Sequence, residues 1–343
     1  MYNFSVIEAT DDHWTKVINK SKSFDFYHTQ SYHLLDKENR AVLFVADFED
    51  GFIAMPLVIR SIPDTNLYDC TSVYGYCGPV SNQDFDAIES VQLEFFRREL
   101  LLFFEENSII TAFSRLHPLI DATSFFKDFG EVVAINKTIA IDLRQDNDTQ
   151  RSQYRKSIKY DINQLIKKGY QVVEATTKED VDAFISIYYE NMDRVHAAPS
   201  YYFSRDYFYE FLKNNCFESK LLLAKKEGEI AAGAIFTITN KIMQYHLAGT
   251  SSFYIKDTPM KLILDEARLL GTELKLDFLH LGGGAGGSDE DSLFLFKSGF
   301  SNYRCQFSVW KFIVNHEKYN ELLALKGITE ASNFFPLYRL HKN

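Results

Sequence analysis

The sequence predicts a mixed α/β fold that is divided into two domains. At 343 residues the chain is longer than one hydrophobic core usually supports, because cores rarely grow past roughly 250–300 residues. Strand-like and helix-like segments alternate irregularly, which excludes the regular order of a doubly wound parallel sheet. The most polar window in the middle of the chain lies at 142–153. We therefore expect mixed, mostly antiparallel sheets flanked by helices, with one domain over 1–145 and another over 146–343.

The first domain is predicted to contain a hairpin, a helix and a further strand. Two apolar segments within 40–61 flank a short turn, which is typical of antiparallel neighbours. Apolar residues then recur with helical spacing over 84–107, and an apolar run at 108–120 predicts a strand. Each half of the chain follows a similar strand–strand–helix plan, which suggests an internal duplication.

The second domain is predicted to begin with a helix that starts at 151 and that Gly169 ends as its C-cap. A later helix over 258–270 has Asp257 or Thr258 as its predicted N-cap. The other predicted helices lie at 178–194, 204–215 and 291–298, and the predicted strands at 170–176, 220–240, 241–250, 274–283 and 307–315. This order predicts a run of neighbouring strands, followed by helix, strand, helix and a closing strand.

Charge and cysteine usage exclude several classes of protein. The net charge of −10 disfavours binding to DNA, because neutralised phosphates supply most non-specific affinity. No cluster of His, Cys and Asp has the spacing of metal ligands, so we expect no metal. Without a secretory signal or an apolar run of 18 residues, we expect a cytoplasmic protein with no transmembrane segment. The oligomeric state stays open. The four cysteines show no C-x-x-C spacing and are expected to be reduced thiols: Cys70, Cys77, Cys216 and Cys305.

A glycine-rich run follows the predicted strand 274–283. Residues 282–287 match the G-x-G-x-x-G pattern of dinucleotide-binding loops. However, the carboxylates at 289–291 would repel a pyrophosphate from that helix N-terminus, and no acidic residue follows about 20 positions later to bind a ribose. Two interpretations remain: a strand-to-helix connection capped by Ser288 or Asp289, or a loop whose missing side chains let a substrate approach the backbone.

Five segments, in the same order along the chain, resemble stretches of the FemAB-like acyltransferases. They are 74–81 (YGYCGPVS), 151–172, 201–212, 245–250 (YHLAGT) and 280–301. The last combines the glycine run with the family's Phe–Lys–x–x–Phe helix, and the second resembles its R-x-x-Y-R-x-x-I helix. The resemblance extends over 25–315 and implies two tandem GNAT-like domains that move an acyl group onto an amine.

The resemblance implies an enzyme of cell-envelope biogenesis. The favoured reaction moves an acyl group, with acetyl as the first choice, from acyl-CoA to an amine of an amino sugar or of another nucleotide- or lipid-linked envelope precursor. The alternative uses aminoacyl-tRNA and a peptidoglycan precursor. The acidic charge and the absence of a coiled-coil arm favour CoA over tRNA. A third hypothesis, of another class, is a non-catalytic protein that binds anionic glycans. The usual GNAT pyrophosphate loop, Q/R-x-x-G-x-G/A, is absent, and His280 stands where the family often has Asp.

Four side chains are candidates for the chemistry. Transfer to an amine requires a proton acceptor, stabilisation of the oxyanion and protonation of the leaving group. Lys297 matches the family's lysine and, as an ammonium, would stabilise the oxyanion or a substrate phosphate. His280 ends a core strand and is a candidate general base, although a packed histidine is the alternative. Tyr245 and His246 are neighbours on one strand, so alternation directs one of them toward the cleft, and Tyr245 would donate a proton there.

Six further residues are candidates for substrate binding. They are Arg151, Arg155, Lys159, Arg194, Gly283 and Gly284. The first three recur every four residues on one helix face, and guanidinium groups suit the phosphates of a nucleotide- or lipid-linked substrate. A solvated helix face is the alternative for this stripe. The two glycines are predicted to border the acceptor cleft.

Overall fold

The computed structural model describes residues 2–284, 290–328 and 332–340. Contacts between residues divide the chain into two units, one formed by 1–135 together with 306–343, and the other by 136–305. The predicted domain boundary between residues 145 and 146 falls inside the second unit. Each unit has a core of its own.

The helices and strands that the sequence predicts are present near their expected positions, but the helix expected to start at 151 begins at Lys156, after a separate short helix that ends at Ser152. The strands are β1 (Asn3–Glu8), β2 (Arg40–Asp47), β3 (Phe52–Ser61), β4 (Tyr68–Thr71), β5 (Val80–Ser81), β6 (Ile109–Arg115), β7 (Glu131–Asp142), β8 (Gln171–Glu174), β9 (Glu218–Lys226), β10 (Glu229–Thr239), β11 (Ile242–Thr250), β12 (Phe278–Gly282) and β13 (Tyr303–Ile313). The helices are α1 (His13–Ile18), α2 (Gln30–His33), α3 (Ser90–Glu106), α4 (Asn147–Ser152), α5 (Lys156–Lys167), α6 (Lys178–Arg194), α7 (Arg205–Leu212), α8 (Met260–Glu273), α9 (Ser292–Lys297) and α10 (His316–Leu325). The predicted hairpin 40–61 and helix 178–194 are confirmed.

The first unit is built on a mostly antiparallel sheet. Strands β1, β2, β3, β4 and β6 lie side by side, and β5 pairs with β3. Only the β4–β6 pair is parallel among them, and the C-terminal part of β13 runs antiparallel to β6. Helix α3 packs Phe96, Leu100 and Phe104 into the core. These residues lie four positions apart, which places them on one side of a helix and explains why this segment folds as one.

The second unit contains the parallel strand pair on which the candidate site depends. Its strands lie in the order β8, β9, β10, β11, β12 and the C-terminal part of β7. All neighbours are antiparallel except β11 and β12, which are parallel and are joined through α8. A parallel pair requires such a crossover. Helices α5 and α8 cover the sheet through Ile162, Leu165, Ile263 and Ala267.

The structure confirms one predicted helix end and corrects another. Gly169 follows α5 with a φ of 82°, the left-handed conformation in which glycine commonly ends a helix. By contrast, the predicted N-caps Asp257 and Thr258 are wrong, because Pro259 occupies the N-cap of α8. The carboxylate of Asp257 accepts a hydrogen bond from the Tyr170 hydroxyl instead. Among the described residues, no helix has both the length and the apolar character needed to cross a membrane.

Candidate active site

The parallel strands β11 and β12 pair along only part of their length. Their register runs from Ile242 opposite Phe278 to Gln244 opposite His280, whereas β11 continues to Thr250. On the other side of β11, the register with β10 shifts at His246, which is an extra residue between two paired positions. Such a bulge bends a strand and increases its twist. The two strands therefore part at their carboxyl ends, beside Tyr245 and the start of the glycine run.

Lys297 lies buried beside this parting of the strands. Lys297 is the last residue of α9 and is only 7% exposed. The ammonium nitrogen donates a hydrogen bond to the carbonyl of Gly283 at 2.6 Å and lies 5.6 Å from the centre of the Tyr245 ring. Burial lowers the pKa of Lys297 to about 7, an effect that the nearby Asp291 carboxylate partly opposes. At neutral pH this amine is therefore a group that both donates and accepts protons.

Asp291 positions the helix that carries Lys297. Its carboxylate accepts hydrogen bonds from the backbone N–H groups of Leu293 and Phe294 at 2.9 and 3.0 Å, so it is the N-cap of α9. The predicted caps, Ser288 and Asp289, lie outside the described residues. A carboxylate already bound to these N–H groups leaves no anion site for a pyrophosphate there, in agreement with the sequence argument.

The two glycines of the connection stand where side chains would collide. A Cβ atom on Gly284 would lie 2.4 Å from the Oδ1 atom of Asp291, and one on Gly283 would lie 3.2 Å from the carbonyl oxygen of Lys137. The first distance is shorter than any ordinary contact, so Gly284 is required for the close approach of the capping carboxylate. Gly283 is buried and offers its carbonyl to Lys297.

Tyr245 and His246 point to opposite sides of β11. Tyr245 is partly buried, packs against Phe236 with ring centres 5.5 Å apart, and turns its ring toward Lys297. Burial raises the pKa of the Tyr245 phenol, which keeps it protonated at neutral pH. His246 stacks on Phe211 at 4.9 Å instead, and burial lowers its pKa to about 3. The structure therefore brings Tyr245, and not His246, to the lysine.

His280 links three neighbouring strands. It is fully buried, and its Nδ1 and Nε2 atoms lie 2.6 Å from Gln244 Oε1 on β11 and 2.9 Å from Thr138 Oγ1 on β7. Both ring nitrogens are thus engaged by side chains of the sheet. This arrangement fits the packed histidine that the sequence left open as the alternative to a general base.

Two basic residues of the predicted stripe, Arg151 in α4 and Arg155 at the start of α5, are engaged within the protein. Arg151 forms an ion pair with the buried Asp265 of α8 at 2.8 Å. Arg155 donates to the Leu295 carbonyl at 2.9 Å and to the Ser298 hydroxyl at 2.7 Å. Arg151, which lies in α4, fastens that helix to α8, and Arg155 fastens the start of α5 to α9, so their spacing reflects helix packing as well as charge.

The other two predicted basic residues lie apart from Lys297. Lys159 donates to the Ser152 carbonyl at 3.4 Å. Arg194 ends α6, where it donates to the Ser252 hydroxyl at 3.0 Å and to Asn191. No contact of either residue with the Lys297 group is present among the described residues.

Sequence reasoning missed the N-cap of α9 and a buried charged pair on α8. Asp291 ends a run of three acidic residues, and an Asp that stands just before the apolar Leu–Phe–Leu–Phe run of a short helix is a capping signal. The buried Asp265 and Arg268, three residues apart on α8, pair at 3.0 Å, and Tyr154 donates to Asp265 at 3.1 Å. A charged pair at this spacing within an apolar helix was the available signal. Within the described ranges, no group of three or more His, Cys, Asp or Glu side chains is placed to hold a metal ion.

Comparisons with known proteins establish the fold. No family model and no curated protein sequence matches the chain. Among solved structures, FemX superposes with a TM-score of 0.74 at 11% identity, over 93% of this chain and 99% of that one. L-PGS from Bacillus licheniformis gives a TM-score of 0.59 at 11% identity, over 90% of this chain and 94% of that one. A tandem GNAT protein from the clavulanic acid biosynthesis pathway gives a TM-score of 0.53 at 10% identity, over 92% of this chain and 99% of that one. The chain therefore has the FemAB-like, tandem GNAT fold that its sequence motifs indicated.

Proposed function

We propose that this protein is an acyltransferase that moves an acyl group from acyl-CoA to the amine of an amino sugar or of a related cell-envelope precursor. The observation that carries the proposal is the buried Lys297, which contacts the Gly283 carbonyl and the Tyr245 ring where β11 and β12 part. The likeness in fold to FemX and to a tandem GNAT protein supports acyl transfer as the class of reaction.

Lys297 has the properties of a proton acceptor for the attacking amine. The amine forms a C–N bond to the acyl carbonyl carbon and must lose a proton, which the neutral Lys297 amine takes up. With a pKa of about 7, Lys297 is neutral in about half of the molecules at neutral pH, which is where a general base works best. The sequence predicts an ammonium that stabilises the oxyanion or a substrate phosphate, and the lowered pKa that burial causes is the reason for proposing a base instead.

Tyr245 completes the proposed chemistry. As the tetrahedral intermediate collapses, the C–S bond of the acyl-CoA thioester breaks and the sulfur leaves with the bonding electrons. The phenol of Tyr245, which burial keeps protonated, supplies a proton to that sulfur or a hydrogen bond to the oxyanion before it. The proton lost by the amine and the proton gained by the thiol balance, so Lys297 and Tyr245 can be reset through solvent.

The similarity to FemX favours a second candidate, in which the donor is aminoacyl-tRNA and the acceptor a peptidoglycan precursor. Its basis is the TM-score of 0.74, which extends over nearly all of both chains. The same lysine and tyrosine would then serve an ester donor whose leaving group is a ribose hydroxyl. The acidic net charge of −10 is the observation that ranks this candidate second.

Mass spectrometry of the intact protein, purified from its own host under native conditions, tests the donor. The proposal predicts retained CoA or acyl-CoA, and release of free thiol when acetyl-CoA is mixed with a panel of amino sugars. The Lys297→Met variant should retain CoA but release no thiol. Transfer from charged tRNA, without any from acyl-CoA, would replace the first candidate by the second. Binding of glycans with no transfer from either donor would contradict both.

A further inference from the structure

The second unit presents exposed lysines next to exposed apolar side chains. On α5, Lys156, Tyr160 and Lys167 lie on one side of the helix, because the spacings between them are four and seven residues. Tyr160 is 63% exposed, and Ile166, the residue before Lys167, is 55% exposed. A single exposed apolar side chain is ordinary, but two of them beside lysines on one helix give its surface both positive charge and apolar character.

The loop before α8 extends this surface. Lys168, just beyond the end of α5, holds Asp257 of the loop at 2.5 Å, so the two segments are in contact. In the loop, Phe253 is 83% exposed, the highest value for any large hydrophobic side chain among the described residues. Lys256 is exposed beside it. The surface formed by Lys156, Tyr160, Ile166, Lys167, Phe253 and Lys256 is called the basic–apolar face below.

The basic–apolar face keeps a positive charge in an acidic protein. The acidic residue within α5, Asp161, is neutralised by Lys261 of α8 at 2.6 Å. The three lysines of the face have no ion-pair partner among the residues that the structure describes. In a chain of net charge −10, this local excess of positive charge complements an anionic partner.

We propose that the basic–apolar face docks on the surface of an anionic lipid bilayer. Lysines attract anionic headgroups, while exposed aromatic and aliphatic side chains enter the boundary between headgroups and acyl chains. A nucleic acid would be attracted by the lysines and its unpaired bases would stack on Phe253, but it offers no apolar environment to the aliphatic Ile166, so the combination favours lipid.

The docking rests on the proposed function in one respect. If the protein is an acyltransferase, docking on a bilayer implies that the acceptor amine is presented at a membrane. Helix α5 connects the basic–apolar face to the candidate site, because Arg155 at its start bonds to the Leu295 carbonyl of α9, the helix of Lys297. A protein held by α5 at a bilayer would therefore hold Lys297 close to headgroup-linked amines.

Sedimentation of the full chain with vesicles tests the docking without any acyl donor. We expect binding to phosphatidylcholine vesicles that contain phosphatidylglycerol, none to phosphatidylcholine alone, and weakening by salt. The double change Lys156→Gln/Lys167→Gln should weaken binding roughly 25-fold, at about fivefold for each lysine near the surface. The control pair Lys127→Gln/Lys213→Gln removes the same charge from exposed positions elsewhere and should leave binding unchanged.

Phe253→Ser tests the apolar part of the basic–apolar face, with Val91→Ser on α3 as its control, since Val91 is 50% exposed. We expect a loss of about tenfold for Phe253→Ser only, as insertion of a large apolar side chain is worth more than 1 kcal/mol. Four results would each overturn the proposal. Two concern vesicles: binding to neutral vesicles as strong as binding to anionic ones, and losses of binding in the control variants as large as those in the test variants. The other two are binding of tRNA in the absence of vesicles and self-association that Phe253→Ser abolishes. Vesicle binding with no acyl transfer would refute the proposed function and leave the docking standing.

Discussion

Replacing Lys297 by Met should stabilise the protein while it removes activity. Burial shifts the pKa of this lysine from 10.5 to about 7, and each pKa unit corresponds to 1.36 kcal/mol. The charged lysine therefore destabilises the folded state by about 4–5 kcal/mol below neutral pH. Met fills a similar volume without charge but leaves the Gly283 carbonyl without its donor, which costs about 1–3 kcal/mol. The net gain in the free energy of unfolding is about 1–4 kcal/mol at about pH 6.

The pH dependence gives this prediction its sign. The folded state has the lower pKa, so between about 7 and 10.5 the unfolded chain binds more protons and the stability of the native protein rises with pH. The advantage of Lys297→Met should therefore shrink as pH rises through this window and reverse near its upper end, where only the lost hydrogen bond remains.

Urea unfolding at several pH values, followed by fluorescence, measures the difference between the two proteins. Lys156→Met, a change at an exposed lysine, is the control and should alter stability little at any pH. The difference in the free energy of unfolding between Lys297→Met and the native protein should vary with pH. A difference that stays constant would show that the pKa of Lys297 is the same in the folded and unfolded states, and it would refute the prediction.

Three further changes probe the surroundings of Lys297 and the first unit. Gly284→Ala places a Cβ atom 2.4 Å from Oδ1 of Asp291, which displaces the carboxylate that caps α9. The free energy of unfolding, measured by thermal unfolding, should fall by about 0.5–2 kcal/mol, and the transfer rate should fall as well. An unchanged transfer rate would show that Gly284 serves only to connect the strand to the helix. Tyr245→Phe should lower the rate about 100-fold, with stability equal or higher, and retention of the native rate would exclude the phenol from proton donation. Burial lowers the pKa values of His28 and His33 to about 3 and about 4, so the first unit should lose stability as pH falls below 6.5, and this loss should diminish in the His33→Phe variant when unfolding is followed by circular dichroism.

Much of the fold follows from local patterns in the sequence. The hairpin of β2 and β3 is specified by two apolar runs around a turn, and α6 by apolar spacing between the capping Thr177 and a C-terminal Arg194. Gly169 marks the end of α5 because left-handed backbone favours glycine. The grouping of 306–343 with the first unit has no local signal, since it depends on contacts between residues far apart in the chain.

The candidate site was predictable in composition but not in arrangement. Lys297, Tyr245 and the two glycines were identified from spacing and resemblance, and the structure brings them together. The sequence carries no signal for the burial of Lys297, which depends on packing between α9 and β11. For the same reason, the engagement of Arg151 in an ion pair was not visible in its helical stripe.

The pH dependence of acyl transfer tests the central claim most directly. With acetyl-CoA and an amine that the protein accepts, the transfer rate should rise through pH values around 7, the pKa of Lys297, and Lys297→Met should lower it at least about 100-fold and abolish that rise. A native rate in Lys297→Met, or the same pH dependence in both proteins, would contradict Lys297 as the proton acceptor of an acyltransferase.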